Sequence, residues 1–220
     1  MKNLINICKM LPVLLLVLGS CKEKSTDPVN ITISELADYY LVAEHKTGSN
    51  KLFVLSFTKD GNVVKANGHL QGLLRTHEAS LENSTLNFDY NSDGKSMYSF
   101  VLEKGGDGNL KLKSYDFIYN GAGGQLSQAV LVKKTDVFSF TNKMFWVLAL
   151  AFQIETPNNT DVLQWLDGKR FPLYRLDNFG FKSNNDEFLG VLVPDWKMNG
   201  KSAKVMLVER GDSVFIGVTD

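Results

Sequence analysis

Short runs in which apolar and polar residues alternate occupy most of the chain after position 39. In "TLNFDY" (85–90), Leu86, Phe88 and Tyr90 share one face, and in "NLKLKSY" (109–115) leucines alternate with lysines. A period of two predicts half-buried β-strands. Asp-Gly or Asn-Gly pairs, which favour tight hairpin turns, separate the runs. These pairs lie at 60–61, 67–68, 93–94, 107–108, 120–121, 167–168 and 199–200. The pattern predicts an all-β fold, an antiparallel meander that forms a barrel or a sandwich.

The strand pattern predicts two modules, 32–134 and a second mainly-β module at 136–220, with the boundary near Thr135-Asp136. Further strands are predicted at 39–45, 51–58, 97–103, 126–133, 170–176, 187–193, 203–210 and 213–218. The run "NKMFWVLALAFQI" (142–154) is apolar on every side, so its period does not separate a buried strand from a core helix. Its aromatic and β-branched residues favour a strand.

Two short helical turns are also predicted. Thr32 with Glu35 has the spacing of a capping box before the first strand. Asp161 to Leu166 is predicted as one helical turn after the loop at Pro157.

The first twenty residues are typical of a secretory signal peptide. Lys2 and Lys9 provide positive charge, the apolar core "MLPVLLLVL" follows, and two small residues precede Cys21. The apolar core is too short to span a bilayer, which takes about 20 apolar residues. We therefore expect residues 1–20 to be removed and residues 21–31 to form a polar tether.

The sequence Leu18-Gly19-Ser20-Cys21 resembles the lipobox of bacterial lipoproteins. In that family the Cys thiol receives a diacylglycerol, the peptide is cleaved before it, and the new amino terminus is acylated. The resemblance therefore implies lipidation of Cys21 and a membrane partner through the N-terminal lipid. In this family an Asp after the Cys is associated with the inner membrane. Since position 22 is Lys, the resemblance implies the outer membrane of the cell envelope.

The stretch "ELADYYLV" (35–42), followed by a long meander, resembles the opening of lipocalin-like domains of bacterial lipoproteins. Such domains begin with a Gly-x-Trp or similar pair on the first strand and wind into a cup. Tyr40 stands in the place of the Trp, whereas Asp38 departs from the expected Gly. The resemblance covers roughly residues 32–134 and implies a ligand-binding barrel there.

Composition excludes several classes of activity. Lys plus Arg and Asp plus Glu are 24 each, so no basic excess attracts nucleic acid. The two cysteines are Cys8, in the expected signal peptide, and Cys21, so no thiol chemistry is expected in the mature chain. No catalytic or cofactor-binding motif is found, and His45, His69 and His77 lack metal-ligand spacing. We expect these histidines on the surface or at a barrel rim.

"DYNSDG" (89–94) matches the start of a calcium loop, but position 100 holds Phe where the bidentate Glu belongs. A hairpin turn explains the same residues. No metal site is therefore predicted, and no catalytic residue.

Large aromatic side chains are the remaining candidates for a binding site. The candidate ligand-binding residues are Tyr40, Phe53, Phe57, Phe88, Tyr98, Phe100 and Trp196, the last in the polar, loop-like stretch "PDWKMNG" (194–200). The first six lie in the predicted meander, whose interior either holds a small ligand or is filled by the rings. The sequence thus predicts a non-enzymatic binding protein for a small apolar ligand or glycan. The alternative is a structural or assembly component that contacts other envelope proteins.

Overall fold

Antiparallel strands account for most of the chain in the computed structural model, which describes residues 30–46, 51–148 and 150–219. The predicted signal peptide, tether and Cys21 lie outside these residues, apart from positions 30 and 31. The strands are β1 (Tyr39–His45), β2 (Lys51–Asp60), β3 (Val63–Leu70), β4 (Leu73–Glu78), β5 (Leu81–Glu82), β6 (Thr85–Asp89), β7 (Ser96–Lys104), β8 (Leu110–Tyr119), β9 (Ala122–Gly123), β10 (Leu126–Lys133), β11 (Lys143–Val147), β12 (Leu150–Glu155), β13 (Val162–Gln164), β14 (Arg170–Leu176), β15 (Gly180–Ser183), β16 (Phe188–Met198), β17 (Lys201–Arg210) and β18 (Ser213–Val218). Short 3-10 helices lie at Ile33–Asp38, Lys134–Asp136 and Pro157–Asn159.

The first ten strands form two five-stranded sheets, with the order β10-β1-β2-β3-β4 in the first sheet and β5-β6-β7-β8-β9 in the second. The two sheets share one apolar core, which we call the inter-sheet core and which includes Phe53, Phe88 and Tyr98. The all-β prediction is confirmed. In residues 39–133, however, the strands form two packed sheets, as in the sandwich alternative.

The remaining strands, β11 to β18, form a closed eight-stranded antiparallel barrel. Consecutive strands pair throughout, and Trp146 on β11 pairs with Val218 on β18 to complete the ring. Large side chains such as Phe152, Trp165 and Phe188 fill the interior, which we call the barrel core. The closed barrel thus lies in the second predicted module. The ring closes because the first strand of that module pairs with the last.

Two pairs of strands are buried on both faces, and this joins the sheets to the barrel. On β2, Phe53 and Leu55 enter the inter-sheet core, whereas Leu52 and Val54 face the barrel. Alternate residues of β16 likewise enter the barrel core or face the first sheet. The shared layer, which we call the sheet–barrel core, also takes residues from β1 and β17. Continuous apolar runs such as "FLGVLV" (188–193) are typical of strands without a solvent-exposed face.

Ile31–Asp220 forms one compact unit. The predicted boundary at Thr135-Asp136 falls in the 3-10 helix that separates β10 from β11. The capped turn before β1 is confirmed, because the Thr32 backbone N–H donates to the Glu35 carboxylate at 2.9 Å.

Three local predictions are wrong. Residues 161–166 form no helical turn, because β13 occupies Val162–Gln164 and pairs on both sides. Asn67-Gly68 lies inside β3 rather than in a turn. "PDWKMNG" is a loop only at its end, since β16 continues to Met198 through an irregularity between Val193 and Trp196.

The apolar run at 142–154 is extended, as predicted, but it forms a hairpin of two strands rather than one strand. β11 ends at Val147 and β12 begins at Leu150.

Candidate functional site

Most of the predicted binding residues lie together in the inter-sheet core. Phe53, Phe57, Phe88, Tyr98 and Phe100 are each at most 2% exposed. The rings of all but Phe57 pack against one another, with ring centroids 3.8 Å apart between Phe53 and Tyr98. Such contacts are typical of a filled aromatic core. Because this core is filled, the candidate site is an open cleft that polar side chains line.

The other two predicted residues, Tyr40 and Trp196, lie apart from these five in the sheet–barrel core. Tyr40 stacks on Phe179 with ring centroids 4.3 Å apart. Its hydroxyl donates to the backbone carbonyl of Leu192 at 2.6 Å. Burial raises the pKa of the Tyr40 hydroxyl, which keeps it a neutral donor. Tyr40 thus connects β1 to the barrel.

His45 and His69 are buried, so the prediction of surface or rim positions is wrong for both. Nε2 of His45 is hydrogen-bonded to the Tyr98 hydroxyl at 2.8 Å. Burial lowers the pKa of His45 to about 4, so the ring is neutral near pH 7. The predicted binding residue Tyr98 therefore already has a protein partner for its hydroxyl.

A cleft of about 300 Å³ lies between the outer face of the first sheet and the β14–β15 hairpin of the barrel. We call it the sheet–barrel cleft. It is lined by Ser56, Phe57, Thr58, Asn67, His69, Leu74, Lys134, Leu176, Asp177 and Phe179. One of these, Phe57, is among the residues predicted from the sequence.

Strand register brings the polar side chains of the cleft together. Ser56 on β2 is paired with Asn67 on β3, and His69 is paired with Val54 on one side and Leu74 on the other. Because side chains alternate between the faces of a strand, Val54 and Ser56 point the same way. The barrel covers Val54, whereas Ser56 and His69 line the cleft beyond it.

Ser56 and His69 have unused hydrogen-bonding capacity. Ser56 is 8% exposed and His69 is 6% exposed. Among the described residues, neither the Ser56 hydroxyl nor a ring nitrogen of His69 has a hydrogen-bond partner from a side chain or the backbone. Burial, followed by the charge of Lys182, lowers the pKa of His69 to about 4, so the ring offers one donor and one acceptor near pH 7. Both side chains line the cleft, so these donors and acceptors are available to a molecule or to water bound there.

Neighbouring polar groups are held by one another. The Asn67 side-chain amide donates to the Thr58 hydroxyl at 3.1 Å, and the Thr76 hydroxyl donates to the Asn67 carbonyl oxygen at 2.9 Å. This cross-strand chain fixes the floor of the cleft next to Ser56.

Among the described residues, Lys134 and Asp177 are the only charged side chains that line the cleft, and they neutralise each other. The Lys134 ammonium lies 3.3 Å from the Asp177 carboxylate and donates to the Phe57 carbonyl at 3.2 Å. It also lies 5.9 Å from the centre of the Phe179 ring. The cleft thus combines neutral donors and acceptors on the sheet with apolar side chains on the barrel.

Sequence reasoning missed His69 and Ser56. The sequence of β2 nevertheless contains a local indication of the cleft. One face of this strand carries the apolar Leu52 and Val54 and then the polar Ser56 and Thr58. That change marks the point where apolar cover ends. The sequence does not indicate that the β14–β15 hairpin lies opposite.

Among the described residues, no group of three or more His, Cys, Asp or Glu side chains is arranged to hold a metal ion. The described part of the chain also contains no helix with the length and hydrophobicity needed to cross a membrane.

No protein-family model, curated protein or solved structure matches this chain.

Proposed function

We propose that this chain is a lipid-anchored protein of the bacterial outer membrane that binds a small uncharged amphipathic molecule in the sheet–barrel cleft, without catalysis. The molecule has an apolar body and a hydroxyl-bearing or carbonyl-bearing group, as in a fatty alcohol or an alkyl glycoside. The single observation that carries the proposal is the pair of polar side chains without a protein partner, Ser56 and His69, that line a cleft with apolar walls.

The chemistry of the lining supports an uncharged ligand. A formal charge in a mostly apolar cleft requires a partner of opposite sign, because desolvation is costly. Lys134 and Asp177 already satisfy each other. Neutral His69 and the Ser56 hydroxyl instead suit a hydroxyl or carbonyl group, while Leu176 and Leu74 contact an alkyl portion. A volume near 300 Å³ is at the lower end of the range for small-molecule sites.

The membrane location is supported by the lipobox resemblance at 18–21. Several acyl chains hold a protein firmly, since each buried methylene contributes about 0.8 kcal/mol. A binding protein anchored in this way is retained in the envelope while its cleft stays open to solvent.

The test is displacement of a fluorescent fatty-alcohol probe from the purified, lipid-free protein by decanol and by octyl glucoside. Thr58→Trp places a large side chain at the exposed end of the cleft and should abolish saturable binding. Asn87→Trp is the matched control, because Asn87 is also exposed, on a strand of the second sheet, and is not among the residues that line the cleft. Binding of the probe and displacement by both competitors are expected in the control.

Two results would overturn the proposal. One is a dissociation constant weaker than about 1 mM for the probe, decanol and octyl glucoside alike. The other is equal binding by the Thr58→Trp and Asn87→Trp variants. Either result would leave the assembly role as the better account of the chain.

A further inference from the structure

The hairpin that joins β11 to β12 differs from the other tight turns of the chain. Among the described residues, twelve non-glycine residues have a positive φ, and eleven of them are Asn, Asp, Ser or Gln. The twelfth is Leu148, with a φ of 55°. Asn and Asp tolerate this left-handed region, whereas a leucine there is strained. Leucine at such a position therefore indicates a function other than formation of the turn.

The solvent exposure of the hairpin side chains indicates what that function is. Leu148 is 100% exposed, so its side chain contributes to none of the three cores. Trp146 and Met144 alternate with it along β11 and are 53% and 44% exposed. The inward-facing Phe145, between them, is fully buried in the barrel core. The outer face of β11 therefore presents Met144 and Trp146 to solvent, and the exposed Leu148 follows them in the turn.

Charge distinguishes this hairpin as well. Residues 142–154 contain one charged side chain, Lys143, and no carboxylate. The other two-residue turns of the described chain carry only glycine or polar residues, namely 61–62, 71–72, 83–84, 120–121, 199–200 and 211–212. Among these two-residue turns, the β11–β12 turn is thus the apolar one, and residues 142–154 around it carry no carboxylate.

We propose that the β11–β12 tip, Met144 to Leu148, inserts into the surface of a lipid bilayer. A fully exposed leucine on a convex tip enters a fluid acyl layer without a preformed groove, and tryptophan is favoured at the level of the headgroups. Lys143 suits the anionic headgroups beside it.

The length of the tether supports a bilayer as the occupant, and this step rests on the proposed lipid anchor. Residues 22–30 span at most about 30 Å when extended. A unit of about 190 residues is about 40 Å wide. An anchored unit is therefore always held within its own width of the membrane, so the tip reaches the bilayer by reorientation alone.

Vesicle co-sedimentation tests the proposal on a chain that starts at Ile31, because Ile31–Asp220 is a compact unit with all three cores. This chain lacks Cys21, so failure here is separate from failure of lipidation. The vesicles contain phosphatidylethanolamine and phosphatidylglycerol. We expect Leu148→Asn to weaken vesicle binding about tenfold or more, because a buried leucine accounts for that much affinity. Trp146→Gln should weaken binding similarly.

Stability measurements separate this role from a structural one. Asn suits a positive φ, so Leu148→Asn should unfold at a higher denaturant concentration than the wild type while it binds vesicles less. Leu73→Asn is the matched control, since Leu73 is 52% exposed on β4 of the first sheet, and its vesicle binding should equal that of the wild type.

Absence of vesicle binding by the wild-type unit would overturn the proposal, as would equal losses in the Leu148→Asn and Leu73→Asn variants. A dimer in sedimentation velocity that Leu148→Asn abolishes would also overturn it, because the tip would then bind a second copy of this chain.

Discussion

Glu209 provides a direct test of the contact between the first sheet and the barrel. It lies on β17 on the face that packs against the sheet, and it is 4% exposed. One carboxylate oxygen accepts a hydrogen bond from the Leu52 backbone N–H at 2.5 Å. Nearby, the Lys51 ammonium donates to the Asp212 carboxylate at 2.7 Å. Burial raises the pKa of Glu209 to about 7, although the Leu52 N–H and Lys51 oppose the rise.

The sign of the pH effect follows from this raised pKa. Between the unfolded-state pKa near 4.5 and the folded-state pKa near 7, the folded chain holds a proton that the unfolded chain has lost. The stabilising contribution of Glu209 is therefore full below about pH 4.5 and is lost as the pH rises through 7. Linkage gives a loss of about 2 kcal/mol in the free energy of unfolding between pH 5.5 and pH 8.

The neutral variant Glu209→Gln isolates this contribution. His45 and His69 also titrate, and their lowered pKa values make the folded chain less stable as the pH falls below about 6.5. Both histidines are present in the wild type and the variant, so their contribution cancels in the difference. The amide oxygen of Gln can still accept from the Leu52 N–H. We therefore expect Glu209→Gln to gain about 2 kcal/mol relative to the wild type between pH 5.5 and pH 8.

Urea denaturation at the two pH values, followed by far-ultraviolet circular dichroism, measures the difference. Glu187→Gln is the control, because the ion pair of Glu187 with Arg210 lowers its pKa and leaves it charged throughout this range. Its offset from the wild type should be the same at both pH values. The reasoning is refuted if the offset of Glu209→Gln is also the same at both.

Two further predictions concern the anchor and the inter-sheet core. Cys21→Ser should abolish incorporation of labelled palmitate and leave an uncleaved or soluble chain, and persistent labelling of the variant would contradict the lipobox assignment. Gly68→Ala should lower the free energy of unfolding by about 1–3 kcal/mol, because an added Cβ would lie 2.5 Å from the Phe88 ring. Gly106→Ala, whose Cβ would have open space, should be close to the wild type, and equal effects of the two substitutions would contradict the packing argument.

Turn chemistry explains how much of the fold follows from the sequence. Six of the seven Asp-Gly or Asn-Gly pairs have their glycine at positive φ, at Gly61, 94, 108, 121, 168 and 200. Gly68 is the exception, because it leaves room for Phe88 from the opposite sheet. The turn at Leu148 was not predicted, because its sequence has none of the usual turn residues.

Non-local contacts explain what the sequence did not predict. Asp161 is the first residue of the predicted helical turn, but its carboxylate accepts from the Thr156 hydroxyl at 2.7 Å and pairs with Arg175 on β14. The sheet–barrel cleft depends on the approach of strands more than 100 positions apart along the chain, from Ser56 to Phe179. Alternation along a strand shows which side chains share a face, but it does not identify the layer that covers that face. The position of the closed barrel in the second module escaped prediction for the same reason.

The layer shared by β1, β2, β16 and β17 has a consequence for biogenesis. The Tyr40 hydroxyl reaches the carbonyl of Leu192, a residue 152 positions later. Until that later segment has been synthesised, β1 and β2 have one apolar face with no native cover, and exposed strands of this kind aggregate. Such a chain needs a chaperone that covers this face, or completion of the chain fast enough to deliver the last strands before the first ones find another partner.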